Sequence, residues 1–270
     1  MDIHKPKPWH GFREFLKEYV IIVVGVLTAL GGEQLVETLH WRHETGVARE
    51  ALAFDFRRIV GQAAQIDGYS PCLAERLGGF SDALDQAQTT KRLPPIGWGG
   101  HSIAPPWTMR SWYGLTSGQT LAHMSNRDQT TLSAITGYLE WLRALRTSER
   151  DAWAVLETTR GPGRPISDAE IANLRAELGR ARLYAVDQRS LGRQLETVIL
   201  RSGFLSRTQV DDAYKEGLAK GRQAAPCQPP RPPAASSRDE MIRDLTGPPV
   251  LPGETPVPGV GVRGAFTTDR

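Results

Sequence analysis

The stretch Tyr19-Val-Ile-Ile-Val-Val-Gly-Val-Leu-Thr-Ala-Leu-Gly-Gly32 contains no charged side chain. As a helix it covers about 21 Å at 1.5 Å per residue, short of a hydrocarbon core of about 30 Å. Its flanks supply the remainder. Phe12, Phe15 and Leu16 precede it at helical spacing and Leu35, Val36 and Leu39 follow, so roughly 25 residues can meet lipid on at least one face. Trp9 and Trp41 stand just outside, where amphipathic rings favour headgroups, and Lys17 is long enough to snorkel. The expectation is a transmembrane helix with its flanks over residues 12–40, after a short leader at 1–11, with the lipid bilayer as first partner.

Two rivals are weaker. A cleaved signal peptide finds a small-x-small site in Ala29-Leu30-Gly31. However, the leader up to Glu18 carries three acids and a tryptophan, and the helical pattern runs straight through the cut. A run apolar on all faces belongs either in a membrane or at the centre of a large core, and the second, a buried soluble helix, requires more surrounding chain than a bundle of this length offers. Sidedness follows from Lys and Arg. Lys5, Lys7, Arg13 and Lys17 precede the run, whereas only Arg42 and Arg49 follow within a similar length, beside Glu33, Glu37, Glu44 and Glu50. The positive-inside rule then places the N-terminus in the cytoplasm and the bulk of the chain on the other side.

Gly25, Ala29 and Gly32 fall at i, i+4 and i+7. Small residues so spaced let two membrane helices approach closely, which predicts self-association through this face. The plainer explanation is that Gly and Ala are common in membrane helices. The two cysteines, Cys72 and Cys227, have no CxxC or CxxH spacing, so a structural zinc site is not expected. A disulfide between them requires an oxidising compartment such as the periplasm.

Residues 12–44, ending in Glu33-Gln34 and His40-Trp41-Arg42-His43-Glu44, resemble the N-terminus of an uncharacterised family of small bacterial single-pass inner-membrane proteins. A looser likeness covers 108–125, TMRSWYGLTSGQTLAHMS. The resemblance implies inner-membrane location and nothing about catalysis.

The remainder reads as all-α. Leu52, Phe56, Ile59, Val60, Ala63 and Ile66 continue the first helix, and Asp67-Gly68-Tyr69-Ser70-Pro71 is expected to end it. A second helix takes residues 72–88, with Leu73, Leu77, Phe80 and Leu84 on one side. Residues 91–108 are a Pro/Gly/Trp-rich connection, long enough that it should pack on the bundle or serve function. A short helix is expected at 110–123. Ser125–Asp128, Ser167–Glu170 and Ser206–Gln209 each resemble a capping box opening a further helix. Those helices are expected to end near 158, beyond 198 and near 220. No segment alternates as a strand does. The prediction is a bundle of four or five helices over 41–221, followed by a disordered Pro-rich tail at 222–270. Ten of the 19 prolines lie beyond Ala225, and residues 241–245 could form a helical turn on a partner.

Composition is that of a folded protein, 40% hydrophobic and 23% charged, with a net charge of +3 and no basic block, so nucleic acid is not an expected partner. Glu33, Glu37, His40 and Glu44 share a helical stripe, with His43 one turn from His40. Glu37-x-x-His40 has the spacing of di-iron bundles, making Glu37, His40 and Glu44 weak metal candidates, but the required second pair is missing. A proton-linked role for His40 or His43 is an alternative. His123 with Ser111 or Ser117 suggests hydrolase chemistry only distantly, since the Gly-x-Ser-x-Gly turn is missing. Gly97-Trp98-Gly99-Gly100 lacks the lysine of a phosphate loop, and His101 is expected simply to be exposed. Trp107, Trp112 and Tyr113 should pin the connection to the bundle or offer an aromatic ligand patch. No pattern asks for a cofactor. The resulting expectation is a non-catalytic membrane-anchored protein for interaction or assembly with an unknown protein partner. A periplasmic ligand-sensing module and a metal-dependent enzyme are the alternatives.

Overall fold

The structure is a computed structural model describing residues 11–97 and 104–229. The expected leader, the middle of the 91–108 connection with His101, and the tail beyond Pro229 lie outside the described residues. The described chain is mostly helical, with five helices and a long apolar one at the N-terminus.

Helix α1 runs unbroken over Phe12–Thr90, 79 residues or about 118 Å. It is long and apolar enough to cross a membrane, and none of its apolar window is buried within the chain. From Leu52 onward the same helix becomes core, with Leu52, Phe56, Ile59 and Val60 fully buried. The expected break at 67–71 does not occur. Pro71 sits inside α1, and the residues predicted as a second helix are its last turns. Proline removes one i→i−4 bond and crowds the preceding turn. Here its ring faces solvent, while Leu73 and Leu77 just beyond it are buried in the bundle, so packing on both sides outweighs the local loss.

Lys91, in the left-handed region at φ 54°, ends α1 and turns the chain into β1, Arg92–Leu93. This pairs antiparallel with β2, Arg164–Pro165, and Ile96 bridges to Gly161. The pair corrects the strand-free expectation; two residues per strand are too few for alternation to register. Beyond the gap the connection dives into the core. Ala104, Trp107 and Met109 are buried, and Arg146 Nε donates to the Ala104 carbonyl at 2.8 Å. Trp107 adopts φ 48°, is fully buried, and sets its indole beside Gly192. Trp107 therefore pins the connection. Trp112 is half-buried and packs against the core, whereas Tyr113 is exposed.

The segment expected as one helix at 110–123 is split into α2 (Ser111–Ser117) and a 3-10 turn, Thr120–His123. α3 (Asn126–Leu156) and α4 (Asp168–Ser202) start at Ser125 and Ser167, whose hydroxyls accept from the Asp128 and Glu170 amides. Neither closes the reciprocal half of a capping box. The Asp128 carboxylate binds Arg49 at 2.6 Å and that of Glu170 binds Arg164 at 2.5 Å, since a guanidinium offers a stronger hydrogen bond than an amide. Only Ser206–Gln209, ahead of α5 (Arg207–Arg222), makes both bonds.

α4 packs between α1 and α3, and α5 lies along α1. The α1–α5 contact is backbone on backbone. A Cβ on Gly217 would meet the Gly61 carbonyl oxygen at 2.1 Å, and one on Gly221 that of Gln65 at 2.2 Å. The folded part also runs past the predicted boundary at 221. A 3-10 turn at Ala225–Cys227 is fastened to α1 by the Cys72–Cys227 disulfide and by Arg76, whose Nε donates to the Pro226 carbonyl at 2.7 Å.

Candidate functional site

The polar stripe at 33–44 lies where the apolar part of α1 meets the bundle, and it stays on one helix. Glu33, Glu37, His40 and His43 are exposed and Glu44 is half-buried. No other carboxylate pair joins them; among the described residues no three His, Cys, Asp or Glu side chains are placed to hold a metal. What approaches instead is His123. Its ring stacks on Trp41 at 3.7 Å between centroids and 10° between planes, while His40 meets Trp41 edge-on at 5.0 Å. Trp41 Nε1 donates to Glu37 Oε1 at 3.4 Å. Around this stack lies an open groove of about 360 Å³, lined by Gln34, Glu37, Thr38, Trp41, Arg42, Thr45 and His123. Both partners of the stack were visible in the sequence, but nothing there joins residues 82 positions apart.

The serines considered with His123 are engaged elsewhere. The Ser111 amide and hydroxyl donate to Asp55 Oδ2 at 2.8 and 2.7 Å, and Ser117 Oγ donates to the Gly114 carbonyl. Asp55 is buried and also accepts from Arg58 at 2.8 Å, so a carboxylate of α1 anchors the start of α2.

Asp67, expected to belong to a helix end, instead lies mid-helix and joins three helices. Oδ1 accepts from Arg189 Nε at 2.6 Å, and Oδ2 accepts from Arg193 Nε at 3.1 Å and from the Tyr214 hydroxyl at 2.9 Å. One carboxylate thus clasps α1, α4 and α5. Burial raises its pKa, but the hydrogen bonds from Arg189, Arg193 and Tyr214 outweigh that and hold it below the usual aspartate value. Burial pushes the neighbouring Glu196 up, helped by the negative charges of Asp67 and Asp211. Tyr214 is raised by burial and by donating to Asp67. A second buried pair, Gln188 Nε2 to Glu149 Oε2 at 2.6 Å, links α4 to α3. These are tertiary clasps between helices of the bundle.

In the apolar part of α1, Gly25, Ala29 and Gly32 are exposed, and a Cβ on Gly25 or Gly32 would touch nothing within 4 Å. Gly61 and Gly68 lie 36 residues further on, ten turns at 3.6 residues each, and hence on the same face. There the face is filled by the glycines of α5. No protein-family model, curated protein or solved structure matches this chain.

Proposed function

We infer that this chain is a single-pass inner-membrane protein holding a helical bundle on the periplasmic side. It acts by assembly, pairing with copies of itself through Gly25, Ala29 and Gly32 and presenting the bundle to a protein partner, without catalysis. The observation that carries the reading is the continuity of α1, which is bare and apolar at one end and core at the other, with no joint between. A run exposed on every face is stable in lipid and not in water. A second helix packed on the small-residue stripe would fill it, as the backbone of α5 fills α1 at Gly61 and Gly68. The Cys72–Cys227 disulfide agrees with an oxidising compartment, as does the distribution of Lys and Arg. The resemblance over residues 12–44 points the same way.

The test is the mass of the full-length protein in mild detergent, in the wild type and in Ala29→Ile. A defined oligomer that Ala29→Ile dissociates supports the reading. A strictly monomeric wild type removes self-assembly, and a periplasmic-reporter fusion after α5 that stays inactive removes the sidedness.

A further inference from the structure

We propose that the groove beside Trp41 holds the headgroup of a zwitterionic phospholipid, one that carries a phosphodiester and a primary ammonium. The proposal rests on the membrane-anchor reading and adds a ligand to it. Gln34, Glu37, Thr38, Trp41, Arg42 and Thr45 rise along one side of α1, and His123 closes the groove from the bundle. With the hydrocarbon reaching into the flank that ends at Leu39, the groove from Gln34 to Thr45, about 17 Å long, crosses its edge and spans a headgroup layer some 5–7 Å deep. The lining carries both signs at that height. Arg42 suits a phosphodiester, because a guanidinium meets two phosphate oxygens at once, and His123 adds a ring N–H donor. Glu37 is the only carboxylate of the lining and accepts from Trp41 Nε1 at 3.4 Å, which sets a negative group beside Arg42 for an ammonium. A headgroup bearing phosphate alone would leave Glu37 facing like charge; one with both charges satisfies the pair.

The experiment uses the full-length protein reconstituted in vesicles of equal phosphatidylethanolamine and phosphatidylglycerol, then extracted in mild detergent and weighed by native mass spectrometry with its retained lipid. The wild type should retain the ethanolamine lipid over the glycerol lipid by about tenfold, on the scale of one charge-assisted hydrogen bond. Glu37→Gln should abolish that preference, and Arg42→Gln should lower retention of both lipids. Glu50→Gln, outside the groove, should keep the preference. Equal retention by the wild type, or an unchanged preference in Glu37→Gln, overturns the proposal. Flotation separates this from failure of the anchor: protein that floats with vesicles but selects neither lipid refutes the groove alone, whereas protein that stays at the bottom of the gradient refutes both.

Discussion

Replacing Gly217 by alanine tests the packing on which the bundle depends. The new methyl would stand 2.1 Å from the Gly61 carbonyl oxygen and 2.8 Å from its carbonyl carbon and Cα, all of them backbone atoms of α1. Carbon–oxygen contacts between helices settle near 3.3 Å, so α5 must retreat by about 1.2 Å, and no side-chain rotamer can absorb the movement. A gap of that size forfeits at least a quarter to a half of each dispersion contact along the seam, which includes the buried Val210 and Ala213. Overpacking of this kind costs up to about 3 kcal/mol, and the better helix propensity of alanine offsets about 1 kcal/mol. The net loss is about 2 kcal/mol, or a fall in Tm of about 4–8 °C for a domain of this size. Gly179→Ala is the control. It makes the same chemical change inside α4, where an added Cβ meets nothing within 4 Å, and it should stabilise by about 0.5–1 kcal/mol. Thermal unfolding of the full-length protein in detergent, followed by helical circular dichroism, measures both. If Gly217→Ala raises Tm as Gly179→Ala does, the close α1–α5 approach is wrong.

Asp67→Asn should cost about 2 kcal/mol, because charge-assisted hydrogen bonds are worth about 1.5–3 kcal/mol and the two arginines are half in solvent, which screens them. The folded-state pKa of Asp67 is depressed, so its contribution is complete above the unfolded value of about 3.9 and is lost as pH falls through the folded one. Unfolding at several pH values should therefore show the gap between wild type and variant closing in acid; a constant gap would assign the loss to packing. The Cys72–Cys227 bridge closes a separation of 155 residues, for which chain entropy gives an upper value of roughly 5 kcal/mol. Cys72→Ser with Cys227→Ser should lower Tm by an amount that reduction of the wild type reproduces. In unreduced membranes a maleimide should label neither cysteine, and full labelling would place the domain in a reducing compartment.

Much of the helical plan was legible because it rests on local rules. The stripe from Leu52 to Ile66 and the serines ahead of α3, α4 and α5 mark elements that form for reasons contained within a few residues. The misreading at 67–71 shows where local rules stop. Asp, Gly and Pro together favour a break, yet Gly68 is there for the close approach of α5, and Asp67 for two arginines and a tyrosine more than a hundred residues away. A residue used for tertiary contact looks like a helix breaker when only its neighbours are considered. The Gly217-x-x-x-Gly221 spacing was the one available signal, and it has the same form as the stripe at Gly25, Ala29 and Gly32. Trp107 was expected as an anchor only in company with Trp112 and Tyr113, and Trp41 and His123 could not be paired without the fold that sets them together.

The continuity of α1 also decides how the two ends of the molecule influence each other. Gly46 is the natural hinge between the apolar run and the core, since a mid-helix glycine costs about 1 kcal/mol relative to alanine and an added Cβ there would touch nothing. It is braced on both sides. Below it Trp41 stacks on His123, and above it Arg49 binds Asp128 at 2.6 Å and lies 4.4 Å over the Phe204 ring. These contacts tie α1 to the 3-10 turn before α3, to the start of α3 and to the turn between α4 and α5, so bending at Gly46 would break packing in three places at once. A helix held in this way transmits rotation and tilt as a rod. Pairing of two copies through Gly25 and Gly32 would then fix the relative orientation of two bundles some 50 Å away at Asp67, at 1.5 Å per residue. On the proposed reading, assembly in the bilayer and the arrangement of the domains outside it would be one equilibrium rather than two.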